Sequence, residues 1–332
     1  MTSRVEFDPD GPGAAGTLFG LPEVDDAAVR VLSVPFDATA SYRRGAAEAP
    51  ANVLEASSQV DLTDLETGDP WRAGIVMDPT PPLISELNQR ARADVDALRN
   101  EGSPDEADLI RRVDDAGTRL NTLVEAWTVN VFAQDAIPGI LGGDHSVPLG
   151  AIRAAAARYP GLGILQIDAH ADLRVAYEGF AWSHASITHN ILREATGLAH
   201  MVQVGVRDLG RAERARAEAD RALTLWSDMR IADAMHRGTP WAEIVERMIA
   251  PLPENVWITF DIDGLDPSLC PTTGTPVPGG LSWRETLGLL SAIGKSRRIV
   301  GFDLCEVGPG DWDAIVGARL LYKLAGWAVS GR

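Results

Sequence analysis

The segment 164–172 most restricts what this chain can fold into, because a short apolar run leads straight into an Asp-x-His-x-Asp pattern. A run of this kind after a Pro-Gly turn signal predicts a buried strand. Alternate residues of an extended chain point the same way, so Asp168, His170 and Asp172 are predicted to converge. With no Lys or Arg before Arg174, they would repel one another unless a cation lay between them. A polar turn that only caps a strand needs one such residue, whereas three predict a metal site.

The length and composition are those of a globular enzyme-sized domain. The chain has 332 residues, of which 45% are hydrophobic and 23% charged. No apolar run reaches the roughly 18 residues of a membrane-spanning helix. The first 20 residues lack the basic and apolar pattern of a signal peptide, and only Cys270 and Cys305 are present. These features predict a protein of the reducing cytoplasm.

The charge balance argues against two classes of partner. The formal net charge is −17, so a nucleic acid or an anionic membrane surface would be repelled. Metal cations and a small cationic substrate are compatible with this charge.

The order of predicted elements indicates the fold class. Residues 1–28 are rich in Gly, Pro and Asp and predict a flexible N-terminal arm, followed by one domain over 29–332. Ser103 predicts the cap of a long helix, and a second capping box joins Ser282 to Glu285. Strands are predicted at 29–34, 74–77, 137–141, 164–167, 201–205, 256–260 and 299–304, with helices at 50–56, after 103, at 151–158, 211–222, 241–249, 282–293 and 313–325.

Strands that alternate with helices and are apolar throughout predict an α/β fold. The expected architecture is a single open, mostly parallel sheet with helices on both faces. In such sheets the ligand site lies beyond the carboxyl ends of the strands. Each polar cluster of this chain follows the end of a predicted strand, which predicts one site at that edge.

Three clusters supply the candidate metal ligands. The first contains His145, the second is the Asp168 to Asp172 pattern, and the third contains Asp261 and Asp263. Two imidazoles and four carboxylates are too many for one ordinary zinc site and suit a harder ion such as Mn²⁺. This number is expected of two ions that share bridging carboxylates. Asp266 is predicted to cap the turn before Pro267 and not to bind metal.

Two further residues are candidates for the chemistry. His184 follows the metal strand after a loop and is a candidate proton shuttle, whereas His189, His200 and His236 are assigned no role. Glu306 follows the apolar strand 299–304, where an unpaired carboxylate would be costly. A cationic substrate or an Arg is therefore expected to neutralise Glu306.

The motifs together resemble the ureohydrolase family of arginases, agmatinases and relatives over nearly the whole chain. The motifs that carry this resemblance are Gly142-Gly143-Asp144-His145-Ser146, Asp168-Ala169-His170-Ala171-Asp172, Asp261-Ile262-Asp263-Gly264-Leu265-Asp266-Pro267, Gly274-Thr275-Pro276-Val277-Pro278-Gly279-Gly280 and Glu306. The resemblance implies an arginase-like three-layer αβα fold, a binuclear Mn²⁺ centre and hydrolysis of a guanidino group to urea. It also implies a homo-oligomer, either a trimer or a hexamer.

The resemblance also implies a role for each matching residue. One ion would be held by His145, Asp168, Asp172 and Asp261, and the other by His170, Asp168, Asp261 and Asp263. His184 would stand at the acid/base histidine position and Glu306 at the guanidinium-binding position, while Asp172 would hold the proton of the nucleophile. Mn²⁺ is the expected metal, and Ni²⁺ is its competitor because imidazole suits it and its intrinsic affinity is higher.

The agmatinase-like branch of the family is the better match. The segments that resemble it are Pro35-Phe36-Asp37, Ser41-Tyr42-Arg43 and the loop from Asp172 to Ala185. Agmatine, hydrolysed to urea and putrescine, is therefore the expected substrate. Val175 and Ala176 stand where many agmatinase-like sequences carry acidic residues, which leaves a carboxylate tail or no tail open.

Three alternatives to an agmatinase remain at this point. One is a ureohydrolase of another specificity, namely a guanidinobutyrase, guanidinopropionase, guanidine hydrolase or arginase. The second is a formimidoylglutamase-like hydrolase, which would release formamide instead of urea. The third is a non-catalytic binding relative, which would be expected to lack a ligand or the acid/base histidine. All of these residues are present here.

Overall fold

The computed structural model describes residues 7–100 and 105–331, and its central feature is one parallel sheet. The eight strands lie in the spatial order β2-β1-β3-β8-β7-β4-β5-β6, and each neighbouring pair is parallel. Their bounds are β1 Val29–Val34, β2 Ile75–Asp78, β3 Ile137–Gly142, β4 Gly163–Ile167, β5 His200–Val206, β6 Leu223–Ser227, β7 Asn255–Asp261 and β8 Arg298–Cys305.

Ten α-helices connect the strands within the described residues. Their bounds are α1 Ala49–Ser57, α2 Pro82–Arg99, α3 Glu106–Ala133, α4 Leu149–Arg158, α5 Ile187–Glu194, α6 Arg211–Ala219, α7 Asp228–His236, α8 Trp241–Ile249, α9 Trp283–Ser296 and α10 Asp311–Ser330. None of the helices in residues 7–100 and 105–331 combines the length and the apolar character needed to cross a membrane.

The helices cover both faces of the sheet, as the sequence predicts. Ile140 and Leu141 are adjacent on β3 but belong to two different hydrophobic clusters, because successive side chains of a strand point to opposite faces. One cluster packs the sheet against α1, α8, α9 and α10, and the other packs it against α2 to α5. The predicted α/β class, with a single open sheet between two helical layers, is confirmed.

Most predicted elements are present, and the differences have local causes. All seven predicted strands occur, and Ser282 and Glu285 form the predicted capping box, with Ser282 N–H donating to Glu285 Oε2 over 2.8 Å. The helix predicted over 211–222 is too long, since α6 ends at Ala219 and the edge strand β6 follows. β6 pairs only with β5 and is partly exposed, so it lacks the apolar pattern of the central strands.

Three helices were missed. The helix α2 begins at Pro82, which occupies its first turn, where proline has no amide hydrogen to lose. The short helices α5 and α7 follow loops and were not recognised as separate elements.

Two predictions, the flexible N-terminal arm and the helix cap at Ser103, remain predictions. Residues 1–6 of the predicted arm and the cap at Ser103 lie outside the described residues. Within the described part of the arm, Leu18, Phe19 and Leu21 are buried, and the Phe19 ring meets the Tyr322 ring edge-on with centroids 4.7 Å apart. This contact attaches residues 18–21 to α10.

The strand order determines where the site residues meet. β3, β8, β7 and β4 are consecutive neighbours in the sheet. The chain leaves these four strands at Gly142, Cys305, Asp261 and Ile167. Because the strands are parallel, all four carboxyl ends lie at the same edge, which is where all three predicted clusters and Glu306 begin.

Candidate metal centre

The two imidazoles of the sequence motifs face a common group of carboxylates. His145 Nδ1 lies 3.0 Å from Asp168 Oδ2 and 3.4 Å from Oδ2 of both Asp172 and Asp261. His170 Nδ1 lies 3.0 Å from Asp263 Oδ2 and 3.6 Å from Asp168 Oδ1. The six residues predicted as ligands are therefore brought together.

Asp168 connects the two halves of this cluster. Its Oδ2 faces His145 and its Oδ1 faces His170. Two groups of three possible ligand atoms follow, namely His145 with Asp168 and Asp172, and Asp168 with His170 and Asp263; within each group the atoms lie within 4.8 Å of one another. Asp261 belongs to neither of these groups but borders His145. The geometry fits two adjacent cation positions that share Asp168.

Backbone amides help to hold the carboxylates in place. His170 N–H donates to Asp168 Oδ1 over 2.6 Å, Ala169 N–H donates to Asp263 Oδ1 over 3.0 Å, and Asp263 N–H donates to Asp261 Oδ1 over 2.9 Å. Each donor lies within one of the two acidic turns that follow β4 and β7. The turns therefore fix one oxygen of each carboxylate and leave the other directed at an imidazole.

The pKa shifts reflect this crowding of like charges. Burial, together with the neighbouring charge of Asp168, raises the pKa of Asp172 to about 7. Burial and the carboxylates of Asp263 and Asp168 hold the pKa of Asp261 well above its usual range. Burial also disfavours the charge of Asp168, but hydrogen bonds from His145 and His170 outweigh it and lower its pKa. A divalent cation between these groups would remove the repulsion.

The chemistry of the donor set fits such a cation. His145 Nδ1 is buried and faces the carboxylate oxygens of Asp168, Asp172 and Asp261, so it is placed to bind a cation among them. Its other nitrogen, Nε2, lies 2.9 Å from Thr259 Oγ1. Carboxylates and imidazoles together suit Mn²⁺ and related divalent ions. The residues present therefore fit the binuclear centre that the motifs imply.

A polar support behind His145 was not predicted from the sequence. Thr259 Oγ1 donates to Asp303 Oδ1 over 2.9 Å, and Asp303 Oδ2 accepts from Trp257 Nε1 over 2.7 Å. Since the Thr259 proton goes to Asp303, Thr259 accepts from His145 Nε2, which directs Nδ1 toward the carboxylates, where it could bind a cation. The available signal was Asp303 itself, a charged residue inside the otherwise apolar strand 299–304.

Two more supports hold Asp168 and the third motif. Gln166 Nε2 donates to Asp168 Oδ2 over 2.7 Å, and Gln166 Oε1 accepts from Thr188 and Gln203. Arg207 donates to the backbone carbonyls of Asp263 and Leu265 over 2.6 and 3.1 Å. A buried Gln within the apolar strand 164–167 was a signal for the first support, but the sequence offers none for Arg207.

Glu306 lies beside the cluster, at the end of β8. It is 6% exposed, and its Oε1 accepts from His145 N–H over 3.1 Å. No Lys or Arg pairs with it among the described residues. Burial and the nearby carboxylates of Asp144 and Asp263 hold its pKa well above the usual range. Of the two neutralising groups that the sequence analysis allows, an Arg is not found among the described residues, and a cationic substrate stays a prediction.

Two of the five non-glycine residues with positive φ among the described residues lie at this site. Asp172 has a φ of 51° and Glu306 a φ of 60°, a region that costs side-chain-bearing residues about 1–3 kcal/mol. Beside Glu306, Gly274 leaves open space, since a Cβ there would come within 3.2 Å of Glu306 Oε2. The surrounding structure thus holds two carboxylate residues of the site in unfavourable backbone conformations.

His184 lines the cavity that leads to the cluster. The cavity has a volume of about 500 Å³, and its wall also includes His170, Asp172, Arg43 and Arg174. Burial, together with the nearby His170 and His145, lowers the pKa of His184 to about 4. The imidazole is therefore neutral near pH 7 and can accept a proton from the cavity or return one.

The other predicted polar residues lie outside this arrangement. Asp266 caps its turn by accepting from Ser268 N–H over 2.9 Å, as the sequence predicts. His200 Nε2 lies 2.8 Å from Thr224 Oγ1, His189 contacts Arg216, and none of the three remaining histidines lines the cavity described above.

Comparison with known proteins gives a consistent result. Residues 27–326 match the model of the arginase family. The chain is 34% identical to N(1)-aminopropylagmatine ureohydrolase of Thermus thermophilus, covering 91% of this chain and 90% of that one. It is 27% identical to an agmatinase of Pyrococcus horikoshii, over 92% and 94% of the two chains. The crystal structure of agmatine ureohydrolase of Thermoplasma volcanium superposes with a TM-score of 0.71 at 24% identity, covering 92% and 91%.

Proposed function

The chain belongs to the arginase family, and from that premise we propose that it hydrolyses agmatine to urea and putrescine with a binuclear manganese centre. It is a hydrolase that acts on C–N bonds of linear amidines. The observation that carries the proposal is Glu306, a buried carboxylate without a cationic partner among the described residues, next to two groups of metal-binding side chains. A guanidinium is the cation whose planar donors fit a carboxylate.

The proposed ligands are those of the sequence prediction. His145, Asp168, Asp172 and Asp261 would hold one ion, and His170, Asp168, Asp261 and Asp263 the other. The opposed oxygens of Asp168 support its role as a bridge. When bound, divalent ions supply a water whose pKa is lowered toward neutrality and which can therefore act as a nucleophile.

Three side chains are proposed to have separate roles in binding and proton transfer. Glu306 would accept paired hydrogen bonds from the guanidinium and so orient its carbon toward the cluster. Asp172, which borders His145 and also lines the cavity, would hold the proton of the nucleophile. His184, neutral near pH 7, would supply or relay the proton that the leaving amine requires.

Replacing single carboxylates should distinguish the bridge from a terminal ligand. We expect Asp168→Ala to lose both ions and Asp263→Ala to lose mainly one, because only Asp168 faces both imidazoles. Asp261→Ala should resemble Asp168→Ala if it is the second bridge. Elemental analysis of metal per chain measures the difference.

Asp266→Ala is the matched control, since Asp266 lies in the same loop but only caps a turn. It should retain both ions. Equal depletion in Asp168→Ala and Asp263→Ala would contradict the bridging assignment.

The charged residues of the cavity wall support a proposal for the tail of the substrate, the end that carries no guanidino group. Asp208 is exposed at the cavity and has no Lys or Arg partner among the described residues, which favours a cationic tail. Arg174 lies 3.5 Å from Glu213, which offsets its charge, whereas Arg43 donates to the carbonyl of Pro271 and has no carboxylate partner among the described residues. The relatives support N(1)-aminopropylagmatine as a second candidate, because several with about 30% identity or more bear that name.

A substrate panel tests the proposed specificity. Urea release should be measured with agmatine, N(1)-aminopropylagmatine, guanidinobutyrate, guanidinopropionate, guanidine and arginine, and formamide release with formiminoglutamate. Agmatine or its aminopropyl derivative should give the highest kcat/KM. If guanidinobutyrate is preferred, the tail assignment is wrong, and Arg43 and Arg174 become the residues to test as carboxylate ligands.

The remaining properties are proposed on the same basis. We infer two Mn²⁺ ions per chain, a cytoplasmic location and a homo-oligomer of three or six chains.

A further inference from the structure

We propose that Asp144 and Thr39 form a hydrogen-bonded relay that fixes the orientation and the protonated nitrogen of His184. Both would be positioning residues that act through that histidine. The inference rests on the proposed function, in which His184 exchanges a proton with the substrate. It assigns a role to Asp144, the one carboxylate of the Gly-Gly-Asp-His-Ser motif, which the proposed ligand set does not use.

Asp144 is adjacent to His145 in sequence, but its carboxylate has other partners than the metal ligands. The residue has no exposed surface. Its Oδ2 accepts from Thr39 N–H over 3.2 Å and from Thr39 Oγ1 over 2.8 Å, and its Oδ1 accepts from Ser146 N–H and Ser146 Oγ. Both oxygens are therefore fully engaged on the side of Thr39 and Ser146.

Thr39 connects Asp144 to His184. A hydroxyl has one proton to donate, and Thr39 donates it to Asp144. Toward His184 the same oxygen can only accept, and it does so from His184 N–H over 3.1 Å. Thr39 Oγ1 also lies 3.3 Å from His184 Nδ1, so Nδ1 must carry the proton for this contact to be favourable.

The other ring nitrogen is thereby left as a proton acceptor. Nε2 of His184 lies 3.4 Å from Ser41 Oγ, and both residues line the cavity. Ser183 Oγ is 3.4 Å from Nδ1 and accepts from Ala185 N–H; its second lone pair can accept from a protonated Nδ1. The edge-on contact with the Tyr177 ring, with centroids 5.9 Å apart, further restricts rotation of the imidazole.

The loop that carries Thr39 is itself braced. The buried carboxylate of Asp37 pairs with Arg92 and accepts from Gly45 N–H over 3.1 Å and Ala47 N–H over 3.2 Å. These contacts hold both ends of segment 37–47, so Thr39 has a fixed position from which to act. A base held in one tautomer by a third group is a recurring device in enzymes.

Thr39→Val tests the relay, because it keeps the shape of the side chain and removes the hydroxyl. The assay uses Mn²⁺-loaded protein and the substrate that the parent turns over best. We expect kcat to fall on the order of tenfold or more, because the loss of one buried hydrogen bond corresponds to a rate factor of about this size. KM should change little. Thr39→Ser, which restores the hydroxyl, should recover most of the loss.

Thr286→Val is the matched control. Thr286 is also buried, and its hydroxyl donates to Ser282 O over 3.0 Å at the start of α9, away from the cavity. It should show the general effect of removing a buried hydroxyl on thermal unfolding without the loss of kcat.

A second readout does not depend on activity. In full-length protein with ¹⁵N-labelled histidine, before manganese is added, the protonated and unprotonated ring nitrogens have well separated ¹⁵N shifts. His184→Ala identifies the signals of His184. The parent and Thr39→Ser should show protonated Nδ1, and Thr39→Val should show a loss of this preference.

The outcomes separate the relay from the proposed function. Unchanged kcat and an unchanged tautomer in Thr39→Val would overturn the relay, as would a Thr39→Ser variant as slow as Thr39→Val. If the parent hydrolyses no guanidino compound, the proposed function fails, while the tautomer of His184 still decides whether the relay exists.

Discussion

Replacing Glu306 by Gln is expected to lower kcat/KM for the preferred guanidino substrate on the order of a hundredfold or more, while both metal ions stay bound. Glutamine keeps the shape of the side chain and can still accept from His145 N–H, which donates to this carboxylate. It removes the charge that would face the guanidinium. Breaking a desolvated ion pair typically costs about 3–5 kcal/mol, and each 1.36 kcal/mol is about tenfold in rate.

Two comparisons make the Glu306 result specific. Glu254→Gln is the matched control, because Glu254 is exposed and precedes β7 at the opposite end of the sheet. His184→Ala should also slow turnover with metals retained, but added imidazole should restore part of its activity, since its proposed role is proton transfer. Imidazole should not rescue Glu306→Gln. A Glu306→Gln variant as active as the parent on every guanidino compound would reopen the substrate class.

Removing the metal should abolish activity altogether, and Mn²⁺ should restore it best. The basis is the donor set of four carboxylates and two imidazoles, in which burial and mutual repulsion raise the pKa values of Asp172 and Asp261. Protein treated with a chelator and then freed of it should be assayed alone and after addition of Mn²⁺, Ni²⁺ or Mg²⁺. Ni²⁺ is the competitor that could equal Mn²⁺.

Two controls accompany the metal experiment. Circular dichroism should show that the chelated protein remains folded, so that the loss is not a loss of structure. Elemental analysis should establish that the chelated sample is free of metal. Full activity in such a sample would contradict the proposed role of the centre.

The part of the site that lies in short motifs could be predicted from the sequence. Asp168, His170 and Asp172 alternate in extended chain directly after an apolar run, so their convergence follows from local geometry. The placement of Glu306 beside His145 depends on β3 and β8 being neighbours in the sheet. The sequence indicates this only through the general expectation that parallel strands end at one edge.

The supporting residues could not be predicted in the same way. Thr39 and His184 are 145 residues apart in the sequence, and Thr259 and His145 are 114 residues apart. Such pairs depend on the packing of distant segments, and a lone threonine carries no chemical signal in the sequence. Asp303 and Gln166 are different, since a polar residue within an apolar strand indicates a buried partner. The edge strand β6 was missed because partial exposure weakens its apolar pattern.

The most direct test of the account is the stoichiometry of the reaction catalysed by the Mn²⁺-loaded parent protein. Agmatine should be supplied at saturation, and urea and putrescine should be quantified in the same samples over time, with metal-free protein as the blank. The account predicts urea and putrescine in equal amounts and neither product in the blank. The absence of urea from agmatine and from every other guanidino compound, with both metals bound, would contradict it.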